Sequence, residues 1–143
     1  MNRSLSLPFI LCIILVFIDQ SLKIWVKSNF ALGESLDITT WFKIHFTENP
    51  GMAFGIEWGG VIGKYILSSF RIFAILGIVW YMFRLATVGA SKFVLISMSF
   101  VLAGALGNVI DSLLYGLIYN KGLVYNDMYN QWVMYSGVAT LGF

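Results

Sequence analysis

Three stretches of this chain are almost uninterruptedly apolar, and the polar positions left inside them are few enough to name. The first runs about Leu5 to Val26, the second about Tyr65 to Phe83 and the third about Phe93 to Ile118. A membrane-crossing helix needs roughly 20 mostly apolar residues, and each stretch supplies that length. Arg3 precedes the first one, as in a cleavable leader, but no A-x-A-like site follows it. Asp19, Lys23 and Trp25 instead continue the helical pattern, so the segment reads as a retained anchor.

The connection between the first two spans carries a different period. Phe42, Ile44 and Phe46 alternate with Lys43, His45 and Thr47, the spacing of a half-buried strand. Phe54, Ile56 and Trp58 alternate again, and Asn49-Pro50-Gly51 between the two runs suits a type II turn. The pattern predicts a small β region over about 30–62, with His45 on its polar face, where solvation accounts for it. The fold class expected is therefore a mainly α membrane protein with three transmembrane helices plus a small β-hairpin or sheet.

Composition agrees. Of 143 residues, 59% are hydrophobic and 11% charged, with mean hydropathy +0.82. A soluble domain usually carries about twice that charge fraction. No linker-like stretch interrupts the chain, so 1–143 reads as a single integral membrane domain. The net charge of +2 is small and scattered, which argues against nucleic acid as a partner. Cys12, the one cysteine, lies inside the first span and follows Leu11 rather than a small residue, so core packing explains it better than lipidation.

Basic residues set the orientation. With the N-terminus in the cytoplasm, Arg3 lies inside together with Arg84 and Lys92, which flank the short second connection. The β region and a tail, 119–143, then lie outside.

Ionisable groups within spans are costly and ask for a reason. Asp19 and Lys23 stand at i and i+4, the favourable order for a helical ion pair or for a snorkelling pair near the interface. On the third span Gly104, Gly107, Asn108 and Asp111 share one helical stripe. Small residues there would admit a neighbouring helix and turn Asn108 and Asp111 toward it. This topology allows Asp19 and Asp111 a common depth. Arg71 is explained by snorkelling. An aspartyl protease, a proton-coupled carrier and an assembly subunit all fit these features.

The residues singled out also resemble those of a family, the lipoprotein signal peptidases (signal peptidase II), in a Bacteroidetes-like form. Asp19-Gln20-Ser21-Leu22-Lys23 resembles its first-helix D-Q-x-x-K. Asn49-Pro50-Gly51-Met52-Ala53-Phe54 resembles its N-x-G-x-A-F block. Gly104 to Asp111 resembles its third-helix G-x-x-G-N-x-x-D. The three blocks come in order and span nearly the whole sequence.

The resemblance implies a four-span enzyme of the bacterial cytoplasmic membrane. It is an intramembrane aspartyl endopeptidase that removes the signal peptide from prolipoproteins already modified with diacylglyceryl. It implies neither metal nor cofactor, a prolipoprotein substrate and membrane lipid as partners, and a monomer. Asp19, Lys23, Asn49, Gly51, Asn108 and Asp111 would bind substrate or support the site.

The sequence also departs from the family. Ser112 stands where an Arg usually follows the third-helix Asp. The family's catalytic carboxylates come from a V-V-D-F or V-V-D-M block and an F-N-x-A-D block opening the fourth span, and neither occurs up to Phe143. Asp127, in Val124-Tyr125-Asn126-Asp127-Met128-Tyr129, echoes V-V-D-M and is the one catalytic candidate within the chain. The expectation is a C-terminally truncated member, inactive by itself, with the catalytic pair beyond Phe143. The competing reading is a non-enzymatic membrane protein, such as a transporter fragment or assembly subunit.

Overall fold

The computed structural model describes residues 4–48, 60–126, 128–129 and 131–141, with the side chains at 60, 61, 64, 116, 125 and 132 excepted. Its elements are α1 (Ser6–Asn29), β1 (Ser35–Asp37), β2 (Lys43–His45), α2 (Gly60–Thr87), α3 (Lys92–Ile118), β3 (Val124–Asn126) and β4 (Gln131–Val133). Spans long and apolar enough to cross a membrane lie at Ser6–Asn29, Tyr65–Thr87 and Lys92–Tyr115. The expected three-span architecture stands, each helix overlapping its apolar stretch.

The chain divides into two compact units. The first comprises Met1–Ser21 and Ser69–Ile110. Its centre is small: Cys12, Met82, Leu102 and Ala103, flanked by Phe9, Ile75, Val79, Met98 and Leu106. Cys12 is thus a packing residue, as its surroundings in the sequence suggested. Pro8 sits in the first turn of α1, where a missing N–H costs no helical bond. Phe17 at 73%, Phe73 at 72% and Phe93 at 79% exposure point away from that centre. An apolar exterior of this kind is suited to lipid, where water would penalise it.

The α2–α3 turn is tightly built. The amide of Ala90 donates to the Leu85 carbonyl (3.0 Å) and that of Gly89 to the Ala86 carbonyl (3.2 Å). This is a Schellman closure, and it needs the positive φ of 76° that Gly89 adopts. Ser91 then caps α3 by accepting the Val94 amide on its Oγ at 3.2 Å.

The second unit comprises Leu22–Ser68 and Asp111–Phe143. The β-like alternation around Ile44 does form a strand, but its observed partner is β1. The two run antiparallel, pairing Ser35 with His45, Leu36 with Ile44 and Asp37 with Lys43. Gly33, at φ 87°, turns the chain out of α1 and donates to the Phe46 carbonyl at 2.9 Å, which starts this pairing. The anticipated strand at Phe54–Trp58 lies outside the described residues. Phe46 is buried and Ile44 half-buried, while Lys43 and His45 are exposed, so the polar placement of His45 holds.

The tail has structure of its own. β3 and β4 form a second antiparallel pair, and bridges join Ala31 to Val138 and Tyr119 to Leu141. Phe30, Phe46, Tyr119 and Ala139 are buried within this unit.

Candidate functional site

Asp19 belongs to the first unit. Its carboxylate accepts from the Gln20 amide at 3.0 Å, and the same Nε2 reaches the Gly107 carbonyl of α3 at 3.4 Å. Gly107 is buried. With no side chain in the way, its backbone stays open to the glutamine. Gly104, one turn earlier, differs: a Cβ added there meets no heavy atom within 4 Å. Close helix approach therefore does not account for Gly104. Asn108 follows on α3 at an exposed position.

Among the described residues the second unit holds an exposed pair on the β ribbon, Lys43 with Asp37 at 3.8 Å, and two pairs that involve α1. Lys23 and Lys27 lie one turn apart on α1 and so share a face. Lys23 Nζ donates to Asp111 Oδ2 at 2.7 Å, both side chains about one-third exposed (33% and 29%). Lys23 thus has a partner far along the chain as well as the i, i+4 spacing with Asp19. Both residues lie within spans, where an ionised side chain is costly unless it is paired, so the bond keeps each charge partnered and oriented.

Lys27 pairs with Glu48, and this pair is enclosed. Glu48 Oε1 also accepts from the Tyr135 hydroxyl at 2.5 Å, and Oε2 accepts from the Leu123 amide at 3.2 Å. The ammonium of Lys27 faces the rings of Tyr119 (4.9 Å), Tyr135 (5.5 Å) and Tyr115 (6.0 Å). Ring faces attract cations, most strongly where water is excluded. Burial, and then the bond to Glu48, push the Tyr135 phenol well above its ordinary pKa. The neutral hydroxyl is therefore the donor to Glu48.

Of the residues read from sequence, Lys23 and Asp111 are brought together, and Asp19 is joined through Gln20 to Gly107. Asn49, Gly51 and Asp127 lie outside the described residues. Sequence reasoning missed Lys27, Glu48, Tyr119 and Tyr135. Two signals pointed their way: Lys27 repeats Lys23 after one turn, and Glu48 immediately precedes the Asn49 block.

Comparison with known proteins decides the family. The sequence pattern described as Signal peptidase (SPase) II matches residues 11–137. The chain belongs to the signal peptidase II family. It is similar to the lipoprotein signal peptidase of Porphyromonas gingivalis (strain ATCC 33277), 43% identical over 111 residues, covering 77% of this chain and 48% of that protein. That of Amoebophilus asiaticus (strain 5a2) is 43% identical over 112 residues, 76% of this chain and 48% of that one. The lipoprotein signal peptidase of Clostridium novyi (strain NT) is 28% identical over 122 residues, 80% of this chain and 79% of its own. The chain thus spans about half the length of the first two relatives. No solved structure matches. Membership in a membrane protease family displaces the carrier and assembly-subunit readings, and both 43% relatives fit the Bacteroidetes-like resemblance.

Proposed function

We propose that this chain is the anchoring and substrate-holding part of a lipoprotein signal peptidase. The reaction is aspartyl hydrolysis: signal peptides are removed from diacylglyceryl-modified prolipoproteins in the bacterial cytoplasmic membrane. Asp19, Lys23, Asn49, Gly51, Asn108 and Asp111 hold the substrate and the helices, the protein is a monomer embedded in lipid, and its N-terminus is cytoplasmic. The observation that carries this reading is the Lys23–Asp111 pair at 2.7 Å, which joins two of the family-like blocks.

The same pair argues for a supporting role. An aspartyl protease needs two carboxylates that share a proton and hold one water. Asp111 and Glu48 are each engaged with an ammonium group, an arrangement that orients side chains. We therefore assign the catalytic pair to residues outside these positions and expect the 143 residues alone to be inactive.

The test is cleavage of a diacylglyceryl-modified prolipoprotein in detergent, read by the mass loss of its signal peptide. The chain alone should give no shift. Fusing it to the C-terminal segment of the Porphyromonas gingivalis relative should restore one. A shift from the chain alone, abolished by Asp19→Asn or Asp111→Asn, would make those two the working pair. Inactivity of a well-folded fusion would sink the reading as a whole.

A further inference from the structure

We propose that the β1–β2 ribbon is a second contact between this chain and the membrane, its apolar face and its Trp41-Phe42 tip lying in the lipid leaflet at which α1 ends. The assignment is independent of the reaction proposed above, and none of the site residues named there belongs to the ribbon.

The register sorts the ribbon's side chains. Leu36 opposes Ile44 on one face, while Ser35 opposes His45 and Asp37 opposes Lys43 on the other. The polar face is satisfied within itself, through Ser35 with His45 and Lys43 with Asp37. The apolar face is not covered by the protein. Leu36, Ile38 and Phe42 are all exposed, and Trp41 is 84% exposed. A fixed turn presents the last three. The amides of Ile38 and Thr39 both donate to the Phe42 carbonyl at 3.0 Å, and the Phe42 amide donates to Thr39 Oγ1 at 3.0 Å.

Lipid is the occupant that fits. The ribbon springs directly from the end of a span: α1 closes at Asn29, and Glu34 ties the chain back there. Its amide donates to the Ala31 carbonyl at 2.9 Å, and its carboxylate accepts the Ala31 amide at 2.7 Å. At about 3.3 Å per residue, Ile38 at the tip stands no more than about 17 Å from Gly33 at the base. Tryptophan is favoured at the membrane–water boundary, and elements with one apolar and one polar face lie in the plane of that boundary. A protein partner fits less well, because a stable interface takes roughly 20–30 residues from each side. This face offers only Leu36, Ile38, Trp41, Phe42 and Ile44.

The experiment reconstitutes the full chain at one copy per phospholipid nanodisc, in a Cys12→Ala background. A nitroxide is attached at Leu36→Cys or at Ser35→Cys, neighbours in sequence on opposite faces. Collisions with oxygen, which concentrates in lipid, are compared with collisions with a water-soluble nickel chelate. The label at position 36 should meet oxygen several-fold more than nickel, and the label at position 35 the reverse. Adding Trp41→Asp and Phe42→Asp should move the label at position 36 several-fold toward nickel. A label at position 36 as open to nickel as the one at position 35 puts the ribbon in water and overturns the proposal. A label there sheltered from both reagents means a cover of protein and overturns it equally. Where the labelled chain does not fold, quenching of the unlabelled chain by lipids brominated near the headgroup decides. Trp41→Phe should then remove a clear share of that quenching, and unchanged quenching overturns the assignment.

Discussion

Lys27 and Glu48 pair where water barely reaches them: the lysine side chain is 5% exposed and the glutamate side chain 17%. Removing one member of such a pair strands the other. Lys27→Met should therefore lower the stability of the chain in detergent by about 3–5 kcal/mol, and Glu48→Leu by a similar amount. The double variant should lose clearly less than the sum of the two, because neither charge is then left buried alone. Additive losses would show that the two side chains are not energetically coupled.

Tyr135 gives the chain an alkaline limit. Its phenol is neutral and donates to Glu48, and its folded pKa is raised, first by burial and then by that bond. A raised pKa means that the folded state holds its proton more tightly than the unfolded chain does. The resulting stability is complete below about pH 10, the ordinary phenol value, and is lost as pH rises above it. Tyr135→Phe should cost about 1–2 kcal/mol near pH 8 and make the decline above pH 10 shallower. Thermal melts between pH 8 and 11 check this. An equally steep decline in the variant would remove Tyr135 as its source.

How much of this was written in the sequence depends on the range of the interaction. The spans were legible because membrane helices bury their backbone bonds locally and need only unbroken apolar length. α1 outlasts its apolar run because Phe30 N still bonds the Val26 carbonyl and the Asn29 side chain caps the Trp25 carbonyl. β2 was legible from alternation. Its pairing with β1 was not, since Ser35-Leu36-Asp37 carries a single apolar residue and meets β2 through backbone bonds and polar side chains, Ser35 Oγ lying 2.7 Å from His45 Nδ1 and Lys43 Nζ 3.8 Å from Asp37 Oδ1. Of the site, Lys23 and Asp111 stood out as charges in apolar runs. Glu48 did not stand out in the connection between the first two spans, since its enclosure comes from Tyr135 and Leu123, far along the chain. No strand is assigned to the tail from its sequence. Its hairpin closes through Asn126, whose side-chain oxygen accepts from the amides of Met128 and Tyr129 (3.0 and 3.3 Å).

Lys23 and Asp111 should behave differently from the buried pair. Both lie within spans, so exposed surface there is not water and the attraction is weakly screened. Asp111→Asn leaves Lys23 without its counter-charge and should lower stability by about 1–3 kcal/mol. The proposed role adds an effect on substrate: affinity for a diacylglyceryl-modified prolipoprotein peptide should fall several-fold. A large stability loss with unchanged affinity would make the pair a structural brace.

Topology follows from the basic residues and the spans together. Each span reaches or exceeds 23 residues, and at 1.5 Å per residue such a helix covers a hydrocarbon core of about 30 Å. On the proposed orientation, three crossings put the α2–α3 turn in the cytoplasm and the connection between the first two spans outside. Arg84 stands in the last turn of α2 and Lys92 at the start of α3, either side of the turn that Gly89 closes. Retained Lys and Arg favour the cytoplasmic face in short connections such as this one. A reporter active only in the cytoplasm should therefore light up when fused at Ala90 and stay dark at Asn130, and a reporter active only outside should do the reverse. Replacing Arg84 and Lys92 together with Gln should weaken the preference, producing mixed signals at both positions. Cytoplasmic signal at both sites in the unaltered chain would mean that one of the three helices does not cross.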